Sequence, residues 1–211
     1  MSDVFGTPIT TQTLQDMPEY WGKPITAADR AKVARDRESA DGKAVAAKKH
    51  VDDLKSQWGT GVSTKCMVYN ATGDTVTLVA SHDYHGHIGP SPYPLQIANG
   101  QWGAFLHVKS TGSATGSSAC IAYRGKNNAG EEHEWLVGWS NPWNHGAGHK
   151  VTAYTEINKA PYYEGNVWGE VSGKLYGSGG SSTSTWNGCS SNATITDETT
   201  ATFQASITLH A

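Results

Sequence analysis

Two groups of side chains in this chain have types and spacings that could do chemistry. The first is aromatic. Trp135, Val137 and Trp139 alternate along a segment that runs straight into Ser140, Asn141, Pro142 and Trp143. Side chains alternate along a strand, so the first three face one side of a sheet, and Ser140, Pro142 and Trp143 sit just past its end. An aromatic-rich turn of that kind can hold a quaternary ammonium such as choline, because a ring face attracts a cation. Tyr162 and Tyr163 follow Pro161 in a loop-like stretch. Adjacent tyrosines point different ways, so one can face a ligand, and with Trp143 they can line an aromatic pocket; the alternative is that they brace the loop against the sandwich.

The second group is made of histidines. His82, His85 and His87 are close enough in sequence to suggest zinc, nickel or copper. On a strand, however, residues 85 and 87 share a face and residue 82 lies on the other. No Cys or Glu stands at a recognised spacing, and the stretch reads as a loop bounded by Gly89 and Pro90, so solvated histidines are the better reading and no metal is expected. His145 and His149 flank a short glycine-rich loop, with Ser140 and Glu156 nearby. A hydrolase triad would need its serine on a strained Gly-x-Ser-x-Gly elbow, which Ser140 does not occupy. Arg124, Gly125 and Lys126 form a small basic turn without the Gly-Lys-Ser/Thr run of a phosphate loop. The sequence therefore predicts no catalytic residue and no cofactor.

The elements that must position these residues fall into two parts, read as a single domain over residues 1–211. Residues 1–60 are charged and helix-like. Thr26 can cap a helix over 26–39, with Asp29 favouring the positive end of its dipole. Asp41 and Gly42 break it, and a second helix follows over 43–57. Ala47, Val51, Leu54 and Trp58 form a narrow apolar stripe at spacings of about four, three and four, flanked by charges of both signs. Such a helix docks on a sheet and is a poor membrane-inserting helix. Residues 61–211 are sparsely charged and rich in Gly, Ser, Thr and Asn. Strands are expected over 66–70, 75–80, 102–109, 116–124, 132–140, 150–156 and 166–176, with a flexible loop at 177–184. A last strand places Phe203, Ala205, Ile207 and Leu209 on one face. Many short strands at this spacing predict a mainly β fold, a β-sandwich with the N-terminal helices packed against it.

Composition narrows the function classes. The chain has 211 residues and a formal net charge of −3, so no general basic field favours nucleic acid. Eight Trp and nine Tyr against three Phe favour rings with an apolar body and a polar tip, which suit half-wet surfaces. Three cysteines, Cys66, Cys120 and Cys189, are too few and odd in number for a disulfide framework. Residues 1–8 show no basic region and no apolar run, and no stretch approaches the ~20 apolar residues of a membrane span. The expected location is cytoplasmic with reduced thiols.

Several landmarks carry a family resemblance. Residues 70–73 (Asn-Ala-Thr-Gly), 114–119, the strand into Ser140, Pro142 and Trp143, the Tyr162–Tyr163 pair and the final alternating strand stand in an order that resembles the actinoporins, sphingomyelin-binding β-sandwich toxins. Residues 5–10, 61–64, 68–74 and 101–108 resemble the plant 23 kDa jasmonate-induced proteins and their fungal relatives, the Nakanori-like proteins that bind sphingomyelin–cholesterol membranes. The resemblance implies a phosphocholine pocket built from Ser140, Pro142, Trp143, Tyr162 and Tyr163, with Ser118 beside it. In actinoporins a longer aromatic loop rests on the membrane; here residues 144–149 replace it, and His145, His149 and Tyr93 are the candidates for membrane contact. Actinoporins also begin with an apolar-faced helix that detaches to form a pore, whereas this N-terminal part is charged.

The resemblance thus implies a non-enzymatic, non-lytic, peripheral protein that recognises sphingomyelin, with cholesterol, in membranes. Binding should depend weakly on salt, since no basic patch is evident. A carbohydrate-binding defence protein is the alternative, because Trp and Tyr platforms also stack on sugar rings.

Overall fold

A computed structural model describes residues 3–146 and 148–209. Its frame is a pair of facing sheets. One contains β1 (Val4–Phe5), β2 (Ser63–Ala71), β4 (His87–Ile88), β6 (Trp102–Val108), β10 (Ser181–Trp186), β11 (Cys189–Ile195) and β12 (Thr200–Leu209), in the order β1-β6-β2-β12-β11-β10 with β4 also on β6. The other contains β3 (Val76–His85), β5 (Gln96–Ile97), β7 (Ser117–Lys126), β8 (Glu132–Asn141) and β9 (Thr152–Lys159), in the order β5-β3-β7-β8-β9. All pairings are antiparallel except β2 with β12, which run parallel from Ser63–Thr200 to Ala71–Thr208.

The expected mainly β sandwich is therefore what the chain forms. Trp135, Val137 and Trp139 face the core between the sheets together with Phe105, Ile121, Tyr123, Phe203 and Ile207. The alternation of the last strand also holds, since Phe203, Ala205, Ile207 and Leu209 are all buried.

Helices cover the outer faces. α1 (Thr11–Gln15) is short. α2 (Ala27–Asp36) starts where Thr26 accepts from Asp29 N and Asp29 Oδ2 accepts from Thr26 N, a reciprocal cap. α3 (Lys43–Trp58) lays Ala47, Val51 and Leu54 against the seven-stranded sheet. Its first residue is pinned: Lys43 Nζ donates to Tyr69 Oη at 3.0 Å and to Gly100 O at 2.9 Å, and Tyr69 Oη donates to Ala34 O at 2.7 Å. A buried ammonium is tolerated only when so bonded, and the three contacts lock α2, α3 and the sheet together.

Three expectations need correction. The segment 166–176 is not a strand; α4 (Trp168–Gly177) replaces it and packs Val171 and Leu175 on the outer face of the five-stranded sheet. Trp168, Val171 and Leu175 follow helical spacing, and Lys174 pairs with Glu170 one turn back. The flexible loop at 177–184 is partly strand, since β10 begins at Ser181. The histidine-rich stretch is not a loop either: His82 and His85 lie in β3 and His87 in β4.

A polar chain crosses the sandwich interior. His107, fully buried, has Nδ1 2.8 Å from Ser117 Oγ, which lies 2.8 Å from Thr64 Oγ1, and Nε2 3.4 Å from Asp83 Oδ1. Burial pushes the His107 imidazole below its ordinary 6.5 and outweighs the opposing pull of Asp83. Burial also lowers His50, against Asp3 and Asp53. A histidine with a lowered folded-state value binds its proton more readily when unfolded. The stability it contributes is present above about pH 6.5, the unfolded value, and is lost as pH falls from there through the lowered folded value. The urea midpoint should fall between about pH 7.5 and about pH 5.5. A midpoint that holds level or rises would show that folding does not lower these imidazoles.

Candidate functional site

The register of the five-stranded sheet sets the site. His85 pairs with Ser118, Ser118 with Ser140, and Ser140 with Thr152, so one row crosses β3, β7, β8 and β9 near one end of the sandwich. Because Trp139 and Ala119 face the core, Ser140 and Ser118 face outward. At this row α4 ends, and its Tyr176 hydroxyl lies 3.2 Å from Ser118 Oγ. A cavity of about 490 Å³ opens here, lined among others by Ser140, Pro142, Trp143, Tyr176, His85 and His149. That volume lies within the range of small-molecule sites.

The wall behind Pro142 is fixed by a glycine. Gly116 has φ +91, and a Cβ on it would come 2.3 Å from Asn141 O and 2.8 Å from Pro142 Cα. Only glycine lets the chain entering β7 pass so close to the turn that carries Trp143.

Two rings stay partly exposed at the mouth, Trp143 at 49% and Tyr176 at 42%. Trp143 is not bare on both faces: Lys109 Nζ sits 5.0 Å from its ring centroid while donating to Ser113 O at 3.2 Å. Lys150 also lines the cavity, and among the described residues no carboxylate does.

The predicted residues divide. Ser140, Pro142, Trp143 and His149 line the cavity, and Ser118 is buried just behind it against Tyr176. Tyr162 and Tyr163 do not reach it. Their backbone N–H groups donate to Glu134 Oε2 at 2.8 and 3.0 Å. Glu134 lies six residues before Ser140 on β8, roughly 20 Å away at ~3.4 Å per residue. The Tyr163 ring is buried, and its hydroxyl donates to Glu156 Oε1 at 2.9 Å. The pair follows β9 at its far end, where the fully buried Glu134 carboxylate, paired with Arg124, gathers the loop.

Tyr93 is likewise structural. Its ring meets Phe105 edge-on at 5.0 Å and its hydroxyl donates to Asp83 at 2.9 Å. His145 is exposed but turns to Asp197 Oδ1, 2.6 Å away, and to Asn141 Oδ1, 3.1 Å away, tying the end of β8 to the β11–β12 turn instead of lining the cavity.

The other histidines disperse. His82 stacks on Trp168 with centroids 5.0 Å apart and planes at 6°, while His85 lines the cavity and His87 pairs with Val108. No group of three metal-ligating side chains forms among the described residues. Glu156 is engaged with Tyr154, Tyr163 and Lys174, so no triad with Ser140 assembles. Sequence reasoning missed Tyr176. The signal was there in the spacing of Trp168, Val171 and Leu175, which makes the segment helical and carries Tyr176 to the cavity.

Known proteins share this architecture. The model of the Nakanori-like protein family matches residues 5–210. The 23 kDa jasmonate-induced protein of Hordeum vulgare is 45% identical over 163 residues, 77% of this chain and 75% of that protein. A jasmonate-induced protein homolog of Atriplex canescens is 24% identical over 135 residues, 61% of this chain and 72% of that protein. The crystal structure of the lipid binding protein Nakanori superposes with a TM-score of 0.87 at 31% identity, over 97% of this chain and 99% of that one. The chain belongs to the Nakanori-like family.

Proposed function

We propose that this protein binds membranes peripherally by taking the headgroup of a sphingomyelin-type lipid, in a cholesterol-containing bilayer, into the cavity beside Ser140 and Tyr176. The observation that carries the reading is the cavity itself: hydroxyls at its wall, and two half-exposed amphipathic rings, Trp143 and Tyr176, at its mouth. Tyr and Trp suit the membrane–water interface because one end is apolar and the other wet. Likeness to the lipid binding protein Nakanori supports the same reading. No helix among the described residues is long and apolar enough to cross a membrane.

The binding is proposed to be non-enzymatic and non-lytic. The N-terminal part is built into the fold: β1 pairs with β6, and Lys43 is bonded to both Tyr69 and Gly100. Releasing α3 would strip Ala47, Val51 and Leu54 from the sheet and leave the Lys43 seat empty.

Sedimentation with dye-loaded vesicles of sphingomyelin–cholesterol, phosphatidylcholine–cholesterol and phosphatidylcholine alone tests both statements. The expected result is binding to the first without dye release. Absence of binding to all three removes the lipid reading and favours a sugar ligand. Dye release removes the non-lytic one.

The residue assignment has its own test. Trp143→Ala and Tyr176→Ala should each weaken vesicle binding about tenfold or more, as loss of an anchoring ring does at other interfaces. Tyr162→Ala should leave binding unchanged. Loss of binding in Tyr162→Ala, with the thermal midpoint held, would move the site to the other end of the sandwich.

A further inference from the structure

Resting on the headgroup reading above, we infer that this cavity reads the phosphate of the lipid headgroup and not its quaternary nitrogen, so that a phosphosphingolipid is accepted whether or not it carries choline. The Trp143 ring, which would attract a trimethylammonium, already holds one ammonium against it, from a lysine that is not itself part of the cavity lining. Lys109 Nζ lies 5.0 Å from the Trp143 centroid. It is held there by the Ser110 and Ser113 carbonyls at 3.4 and 3.2 Å. A ring that already attracts one ammonium has less to give a second, and two like charges close together repel.

The lining is anion-seeking instead. His85 of β3, and His149 and Lys150 just before β9, line the cavity, and no carboxylate lines it among the described residues. The nearby carboxylate of Asp197 is bonded to His145, and Lys150 has no ion-pair partner among the described residues. Ser140 and Tyr176 add hydroxyls, which donate well to a phosphate oxygen. The formal charge of −3 over the whole chain conceals this local balance. Charged donors to phosphate form the stronger class of hydrogen bond.

The test compares three vesicles with the same cholesterol content: sphingomyelin, ceramide phosphoethanolamine and glucosylceramide. Affinities for the first two should agree within about threefold, and the third, which lacks phosphate, should not bind. Lys150→Gln combined with His149→Gln should weaken binding to both phosphosphingolipids by the same factor, about tenfold, as expected for losing two donors to the phosphate, one of them an ammonium. Both side chains are exposed, and an unchanged thermal midpoint confirms that the fold is intact.

Binding to sphingomyelin with more than tenfold weaker binding to ceramide phosphoethanolamine overturns the inference and leaves the headgroup reading standing. Equal binding to glucosylceramide overturns it as well, since phosphate would then go unread. Binding to neither phosphosphingolipid removes the headgroup reading itself. Calorimetric titration with inorganic phosphate alone separates the two sources of this chemistry. Weak or absent heat is expected, and tight binding of the free ion would assign the cavity to soluble phosphate instead of a lipid.

Discussion

The Trp139 ring lies between the two sheets, 5.6 Å from Phe105 and 5.4 Å from Phe203, with His107 edge-on at 5.3 Å. Aromatic pairs at such distances hold a specific relative geometry as well as burying area. Because side chains alternate, fixing Trp139 inward fixes Ser140 outward, and a slip of one residue would reverse both. The register that follows sets His85, Ser118, Ser140 and Thr152 in a row. The cavity is thus a consequence of core packing one residue away.

Legibility in the sequence followed the strength of local periodicity. The strand through Trp139 and the strand through Phe203 alternate cleanly, and both were read in place. The α3 stripe was legible for the same reason. The segment 166–177 was misread because Gly169, Gly173 and Gly177 lower helix propensity and obscure a three- and four-residue spacing carried by only Trp168, Val171 and Leu175. With the helix went Tyr176, the aromatic partner of Ser118. Tyr162 and Tyr163 were assigned to the pocket by resemblance. What places them elsewhere is a carboxylate 28 and 29 residues earlier, Glu134, binding their backbone N–H groups. No local pattern announces a bond of that range. The local charge of the cavity was hidden in the same way, since His85 and Lys150 meet only through the sheet register and the loop.

The two outer faces are covered by different physics. On one side, α2 and α3 are fastened by buried polar bonds around Lys43 and Tyr69, so the charged N-terminal part is held by specific contacts as well as by its apolar stripe. On the other, α4 rests on Cys120, Ala122 and Leu136 and is tied by Lys174 to Glu156 on β9. Removing area from water holds both, but the bonds around Lys43 are buried while Lys174 is partly exposed. This asymmetry places the firmly fixed layer away from the cavity and the lighter one beside it.

The parallel pairing of β2 with β12 joins residues 63–71 to residues 200–208 at the centre of the larger sheet. Until β12 is in place, β2 has one vacant edge and β11 has none of its inner partner, so the seven-stranded sheet exists only as two fragments. Contacts this distant in sequence impose a large loop-closure cost before they return any stabilisation, and such chains fold slowly. On the ribosome, at ~5–20 residues per second, the first part of the sheet waits many seconds for its central neighbour. A chain stalled before residue 200 therefore leaves β2 and β11 with open edges at the centre of the larger sheet, although every strand of the smaller sheet is already made.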